Sequence, residues 1–94
     1  MAIELIDNTE QQRYEVRIDG RLSGIADYRV EGDVVVLPHT LVDPSMRGQS
    51  LGAMLVQRAL DDVRAAGRTV VPQCWYVAEF ITDHPEYTDL VAVR

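Results

Sequence analysis

Between Asp43 and Gly52 the chain reads "DPSMRGQSLG", which places a Pro, an Arg and two glycines directly ahead of a long amphipathic stretch. A tight turn feeding a helix start brings unpaired backbone N–H groups together where the helix dipole favours negative charge. Gly48 and Gly52 carry no Cβ to hold a ligand off the backbone, and Arg47 can grip a phosphate through two parallel donors. The chemistry this predicts is capture of a phosphate group. The alternative is an ordinary entry turn whose glycines serve packing alone, and the spacing by itself leaves both readings open.

The elements that must hold this turn are legible on either side of it. Val34 to Val42, "VVVLPHTLV", is apolar and β-branched almost throughout, the pattern of a central strand covered on both faces, with Pro38 marking a bulge or an unpaired site. After the turn, Leu51, Leu55, Val56, Ala59, Leu60, Val63 and Ala66 recur at helical spacing, while Gln57, Arg58, Asp61, Asp62 and Arg64 take the opposite face. Gly67 is a natural C′ residue for that helix. Thr69 to Val71 then reads as a short buried strand ended by Pro72, so the helix becomes the middle of a β-helix-β crossover. Upstream, Arg13 to Ile18 alternates Tyr14, Val16 and Ile18 with Arg13, Glu15 and Arg17, as a half-buried strand does. Asp19-Gly20 predicts a type I′ hairpin into a second strand over about Arg21 to Val30, with Gly24 as a candidate bulge. "CWYVAEFITDH" predicts a short helix with Tyr76, Val77, Phe80 and Ile81 on one side, stopping at His84-Pro85. The expected class is α/β with a mixed sheet.

Bulk properties narrow the function. Ninety-four residues and 10.6 kDa suit a single domain over 1–94 with one modest core. With 47% hydrophobic and 26% charged residues the chain is ordinary globular material. No apolar run approaches the roughly 20 residues of a membrane span. "MAIELIDNTEQQ" places acids where an export signal needs a basic flank, so a cytoplasmic protein is expected. One cysteine forms no internal disulfide and lacks the companions of a zinc site, so no metal is expected. A net charge of −6 argues against nucleic-acid and membrane partners, and an anionic ligand would need local capture.

The stretch "VDPSMRGQSLG" with its following helix resembles the acetyl-CoA loop of the GNAT N-acetyltransferase superfamily, whose pattern is Arg/Gln-x-x-Gly-x-Gly/Ala. From "HTLV" through "VVPQCWYV" to "HPEYTDLV" the chain is similar to the small single-domain GNAT-like proteins, over about Tyr14 to Val91. The resemblance implies a GNAT-like fold of N-terminal antiparallel strands, a central helix, and a short C-terminal strand and helix. It also implies acetyl-CoA as co-substrate, with Leu41 and Val42 flanking the pantetheine and Arg47, Gly48, Gln49, Ser50, Leu51 and Gly52 wrapping the pyrophosphate. Three positions depart from the pattern. Ser50 stands where the family has its first loop glycine and brings a hydroxyl able to cap the helix or bond an oxygen. Leu41 replaces the acid of "HTEV", so that proton-acceptor role has no bearer, and Trp75 replaces the usual proline after the cysteine.

Acyl transfer from a thioester needs a nucleophile, a proton acceptor and donors for the developing oxyanion. Cys74, just past the short strand where the family's sheet splays, is the candidate nucleophile or acyl carrier, against the plain alternative of a small buried hydrophobe. His39 is a candidate base, or a hydrogen-bonded strand histidine. Tyr76 and Tyr28 are candidate proton donors to a leaving thiolate, or core aromatics with their hydroxyls at the surface. His84 reads as a turn residue before Pro85, and Glu79 as a solvated charge on the polar side of its helix. The function expected is transfer of an acetyl group to an amine, thiol or protein acceptor. The alternative is a catalytically weak CoA-binding or protein-interaction module.

Overall fold

The computed structural model describes residues 2–46 and 50–92. Asp19 and Gly20 both take positive φ, 51° and 83°, as a type I′ turn requires. They join β2 (Arg13–Ile18) to β3 (Arg21–Asp27) in antiparallel register from Ile18 opposite Arg21. The register slips between Val16 and Arg17, which face Gly24 and Leu22, so a bulge falls beside Gly24 as its glycine suggested. A Cβ on Gly24 would lie 3.0 Å from Val16 Cγ1 and 3.3 Å from Leu55 Cδ1, so the glycine also lets the helix above approach the sheet closely.

That helix is α1 (Leu51–Ala65), and its apolar stripe of Leu51, Leu55, Val56, Ala59, Leu60 and Val63 is wholly buried. It packs on the inner face of β2 and β3, against Tyr14, Val16 and Ala26. Each buried side chain of Val or Leu size stabilises the fold by roughly 1.5–3 kcal/mol. Gly67, at φ 69°, donates its N–H to the Arg64 carbonyl while Arg68 donates to that of Val63. This pair of bonds is a Schellman motif, and it ends the helix where its glycine predicted. The chain then enters β7 (Thr69–Val71), parallel to β5 (Val34–Val36), which completes the crossover.

Two expected strands turn out to be broken. The stretch read as one strand over Arg21 to Val30 divides into β3 and β4 (Arg29–Glu31), and the stretch Val34 to Val42 divides into β5 and β6 (Thr40–Val42). The halves belong to different sheets. β1 (Ile3–Asn8), β2, β3 and β6 form an antiparallel sheet in that order, while β4, β5 and β7 form a second, mixed sheet in which β4 is antiparallel and β7 parallel to β5. Pro38 explains the second break, because it has no N–H with which to continue a ladder. Leu37 is the last residue held to the β7 side, donating to the Val71 carbonyl and accepting from the Cys74 N–H. Beyond Pro38 the chain crosses to β3. Leu41 is accordingly 67% exposed, where a central strand would have buried it.

β1 was not expected, because a run flanked by acids, with Ile3 exposed, carries a weak alternating signal. It is pinned at the sheet edge by Leu5 against the core and by Tyr28, whose hydroxyl donates to Asp7. α2 (Trp75–Asp83) buries Val77, Phe80 and Ile81 on the predicted side. It stops at His84, and a 3-10 stretch, Pro85–Leu90, buries Tyr87 and Leu90 against the rest of the core.

Candidate functional site

Where the two sheets part, a cleft of about 470 Å³ opens between β6, the start of α1 and the start of α2. On its β3 side β6 is bonded by the Asp27 N–H to the His39 carbonyl and the Asp43 N–H to that of Ser23. The alternation of an antiparallel ladder then turns the N–H and C=O groups of Thr40 and Val42 towards the cleft, where the Thr40 N–H meets the Cys74 sulfur and the Thr40 C=O and the Val42 groups form an open strand edge. An extended chain carrying amides can pair with such an edge.

The floor is the first turn of α1. The Ser50 carbonyl accepts the first bond along the helix, from Met54. The N–H groups of Leu51, Gly52 and Ala53 therefore lack partners within the helix, as at any N-terminus. Ser50 itself adopts φ 58° and ψ 28°, the left-handed region, and its side chain makes no cap bond. Of the two roles open to its hydroxyl, capping the helix or bonding an oxygen, the first is not taken. The backbone here takes the conformation that suits glycine, so a serine carries a steric cost of about 1 kcal/mol or more.

The far wall is Cys74-Trp75-Tyr76. Cys74 is the N-cap residue of α2, at φ −71° and ψ 129°, and its thiol lies 3.7 Å from the Thr40 hydroxyl. Burial alone would push this thiol up. Hydrogen bonds from the Val77 N–H, the Thr40 hydroxyl, and the Tyr76 and Thr40 N–H groups outweigh it and hold Cys74 below the ordinary thiol value. A thiol at a helix N-terminus with several donors aimed at its sulfur ionises more readily than a free one. The Tyr76 phenol is raised, first by burial and then by the charges of Cys74 and Glu79, so it keeps its proton at neutral pH. Its ring lies on the start of α1: a Cβ at Gly52 would be 2.9 Å from the Tyr76 hydroxyl and 3.1 Å from Cζ.

Leu41, Val42, Ser50, Leu51, Gly52, Cys74 and Tyr76, all singled out in the sequence, line this one cleft. Arg47, Gly48 and Gln49 lie outside the described residues. His39 is not in the cleft: it is on the opposite side of β6 from Thr40, 78% exposed, with Nδ1 3.8 Å from the Asp27 carboxylate. Tyr28 is also elsewhere, its phenol pushed up to about 12 by burial and by the bond it donates to Asp7. His84 is a turn residue as expected, bonding the Phe80 carbonyl through Nδ1. Thr40, which supports the thiol, escaped the sequence reading. The signal available was strand alternation, which puts Thr40 and Val42 together and separates them from His39 and Leu41. Among the described residues, no group of three or more His, Cys, Asp or Glu side chains could hold a metal ion.

Residues 13–90 match the family model of the GCN5-related N-acetyl-transferases. The chain belongs to this family. Its fold is similar to that of a GCN5-like protein from Staphylococcus aureus, at 16% identity and a TM-score of 0.74, over 97% of this chain and 89% of that one. The ribosomal-protein-S18-alanine N-acetyltransferase of Escherichia coli is 21% identical with a TM-score of 0.64, over 78% of this chain and 50% of that one. A Brucella melitensis GNAT family acetyltransferase, solved in complex with acetyl-CoA, is 19% identical with a TM-score of 0.59, over 77% of this chain and 54% of its own. This chain thus spans about half the length of the latter two enzymes. No curated protein sequence matches it. Among the described residues no helix is long and apolar enough to cross a membrane.

Proposed function

We propose that the protein is a single-domain, cytoplasmic acetyltransferase that takes the acetyl group of acetyl-CoA onto Cys74 and passes it to an amine or thiol acceptor. The observation that carries this reading is the meeting of a thiol of lowered pKa with an open strand edge and an unpaired helix N-terminus in one cleft. The α1 start, with Arg47, Gly48 and Gln49 preceding it, holds the pyrophosphate, and the Thr40 carbonyl with the Val42 N–H and carbonyl pairs with the amides of the pantetheine arm. Family membership and the Brucella complex support acetyl-CoA as donor.

The Cys74 thiolate attacks the thioester carbonyl carbon, and the bond from that carbon to the CoA sulfur breaks. Tyr76, protonated and at the cleft wall, gives its proton to the departing thiolate. A neutral amine or a thiol then attacks acetyl-Cys74, the bond to Cys74 sulfur breaks, and the acceptor's proton returns to the Tyr76 phenolate. Both residues finish as they began. His39 faces away from the cleft and takes no part in this scheme.

One observation favours a second reading, a CoA-binding or protein-interaction module without turnover: Leu41 offers no proton acceptor where the resembled family has an acid, and it stands exposed. Mass spectrometry after incubation with acetyl-CoA separates the two. All nine basic residues are Arg and the 94 residues contain no Lys, so no ε-amine competes for the label. The expected result is one acetyl group, released by hydroxylamine and absent from Cys74→Ala. CoA binding with no acetylation would establish the module, and a label that persists in Cys74→Ala would remove Cys74 from the mechanism.

A further inference from the structure

A thiol that takes up an acyl group must be both ionised and fixed, and two sets of donors meet the Cys74 sulfur. The Tyr76 and Val77 N–H groups come with the start of α2, as they would for any N-cap residue. The hydroxyl and N–H of Thr40 come from a different strand, 34 positions away in the chain. The two residues are held from opposite sides. Cys74 follows β7 and donates its N–H to the Leu37 carbonyl at 3.0 Å, while Thr40 stands opposite Ala26 in the pairing of β6 with β3. The peptide unit that carries the Thr40 N–H also carries the His39 carbonyl, which accepts from the Asp27 N–H at 2.9 Å. That bond aims the Thr40 N–H away from β3, towards the sulfur, and polarises it. The Thr40 hydroxyl, 3.7 Å from Sγ, adds a donor that can reverse. It accepts from the S–H of the neutral thiol and turns to donate to the thiolate, with no movement of either heavy atom.

We infer that Thr40 is a positioning residue for acyl uptake: its hydroxyl holds the ionised Cys74 sulfur between the two sheets, on the cleft side, where the thioester of the donor reaches it. The residue acts through the sulfur. As a part of acetyl transfer this role rests on the reading of Cys74 as acetyl carrier, whereas the ionisation of Cys74 does not. The groups that face the sulfur leave its titration distinct. Among the described residues lining the cleft only Cys74 and Tyr76 ionise, and Tyr76 is raised by burial and by the charges of Cys74 and Glu79, so it keeps its proton where the thiol loses one. β6 adds no charge on this side, since His39 is turned to Asp27, and the start of α1 brings Ser50, Leu51 and Gly52, none of which titrates.

Cys74 is the only cysteine in the 94 residues, so alkylation of the full chain by iodoacetamide, followed by mass spectrometry across pH, reports its ionisation directly. Thr40→Val keeps the branched shape and loses the hydroxyl. Its alkylation midpoint should lie about one pH unit above that of the parent, an about tenfold smaller thiolate fraction at neutral pH. A thiolate of higher pKa is also the better nucleophile, by about threefold per unit. The variant should therefore react about threefold more slowly at neutral pH yet faster at the alkaline plateau, and its acetyl uptake from acetyl-CoA should fall by a similar factor at neutral pH. Thr40→Ser, which keeps the hydroxyl, should restore the parent midpoint, and Thr40→Ala, which adds no methyl to the site, should match Thr40→Val. An unmoved midpoint in Thr40→Val and Thr40→Ala, or a Thr40→Ser that behaves as they do, would overturn the inference, because a merely displaced sulfur lowers the rate at every pH without moving the midpoint. A shifted midpoint in a protein whose parent takes no label from acetyl-CoA would instead sink the acetyl-transfer reading and leave the pairing of Thr40 with Cys74 standing.

Discussion

Gly52 is the position where the demands of the helix, the ligand and Tyr76 collide, and a double-mutant cycle separates them. In a helix interior Gly→Ala stabilises by about 1 kcal/mol, because alanine loses less chain entropy on folding. At Gly52 the new methyl carbon would stand 2.9 Å from the Tyr76 hydroxyl oxygen, 3.1 Å from Cζ and 3.3 Å from Cε1. The phenol end must move outward to restore ordinary contact. Tyr76 is only part-buried and belongs to a cleft wall, so it can yield, at a cost comparable to the helix gain. Gly52→Ala alone should therefore change stability by less than about 0.5 kcal/mol, while moving the hydroxyl away from Cys74 and slowing acetyl transfer. In a Tyr76→Ala background the obstacle is gone and the same substitution should recover its full 1 kcal/mol, a coupling of about 1 kcal/mol. For a domain of this size that difference is roughly 4–8 °C in Tm. Thermal melts of the four proteins, each with a rate of acetyl uptake, complete the cycle. Equal stabilisation by Gly52→Ala in both backgrounds would refute the packing of Tyr76 on the helix start. Gly52→Asp adds a test of the phosphate site, because an acid in the first turn suits the dipole yet repels a pyrophosphate: a folded variant with unchanged CoA affinity would remove the ligand from that turn.

Two further outcomes follow from local geometry. Ser50→Gly relieves the left-handed strain at φ 58° but loosens the unfolded chain, so a net gain of about 0.5–1 kcal/mol is expected by denaturant titration. Side-chain bonds from Asn8 and Arg13, reinforced by Arg17, hold buried Glu15 down to about 2 against its burial. Because the folded value is depressed, its contribution is fully present above the ordinary carboxylate value of 4.5 and disappears as pH falls towards 2. Glu15→Gln should cost about 1–3 kcal/mol at neutral pH and flatten the loss of Tm across that acid window, and a parallel pair of curves would contradict it.

Much of the fold was legible because its signals are local. The Asp19-Gly20 turn, the stripe from Leu51 to Val63 and the stop at Gly67 each express a backbone or packing requirement within a few residues. β1 was not legible, because an edge strand exposes part of its apolar set and its place depends on a bond between Tyr28 and Asp7 across 21 positions. The cleft was legible in its list of residues but not in its geometry. Alternation along β6 decides that Thr40 reaches Cys74 while His39 is turned away, and a run such as Val34 to Val42, whose composition predicts one strand buried on both faces, carries no such alternation.

The site and the break between β5 and β6 have one origin. Tyr28 follows the end of β3, and Pro38 and His39 interrupt the second stretch at the same level, since the Asp27 N–H bonds the His39 carbonyl. An apolar, β-branched run predicts continuous pairing, and continuous pairing would have closed β6 against the β7 side. Pro38 withdraws one donor there, the chain changes neighbours, and the edge of Thr40 and Val42 is left open opposite the N-cap thiol of Cys74. Local preference and final structure disagree where the protein needs unpaired backbone, as expected at a functional site. The left-handed Ser50 and the missing Cβ of Gly52, whose place the Tyr76 ring takes, then set the start of α1 directly against the far wall of that cleft.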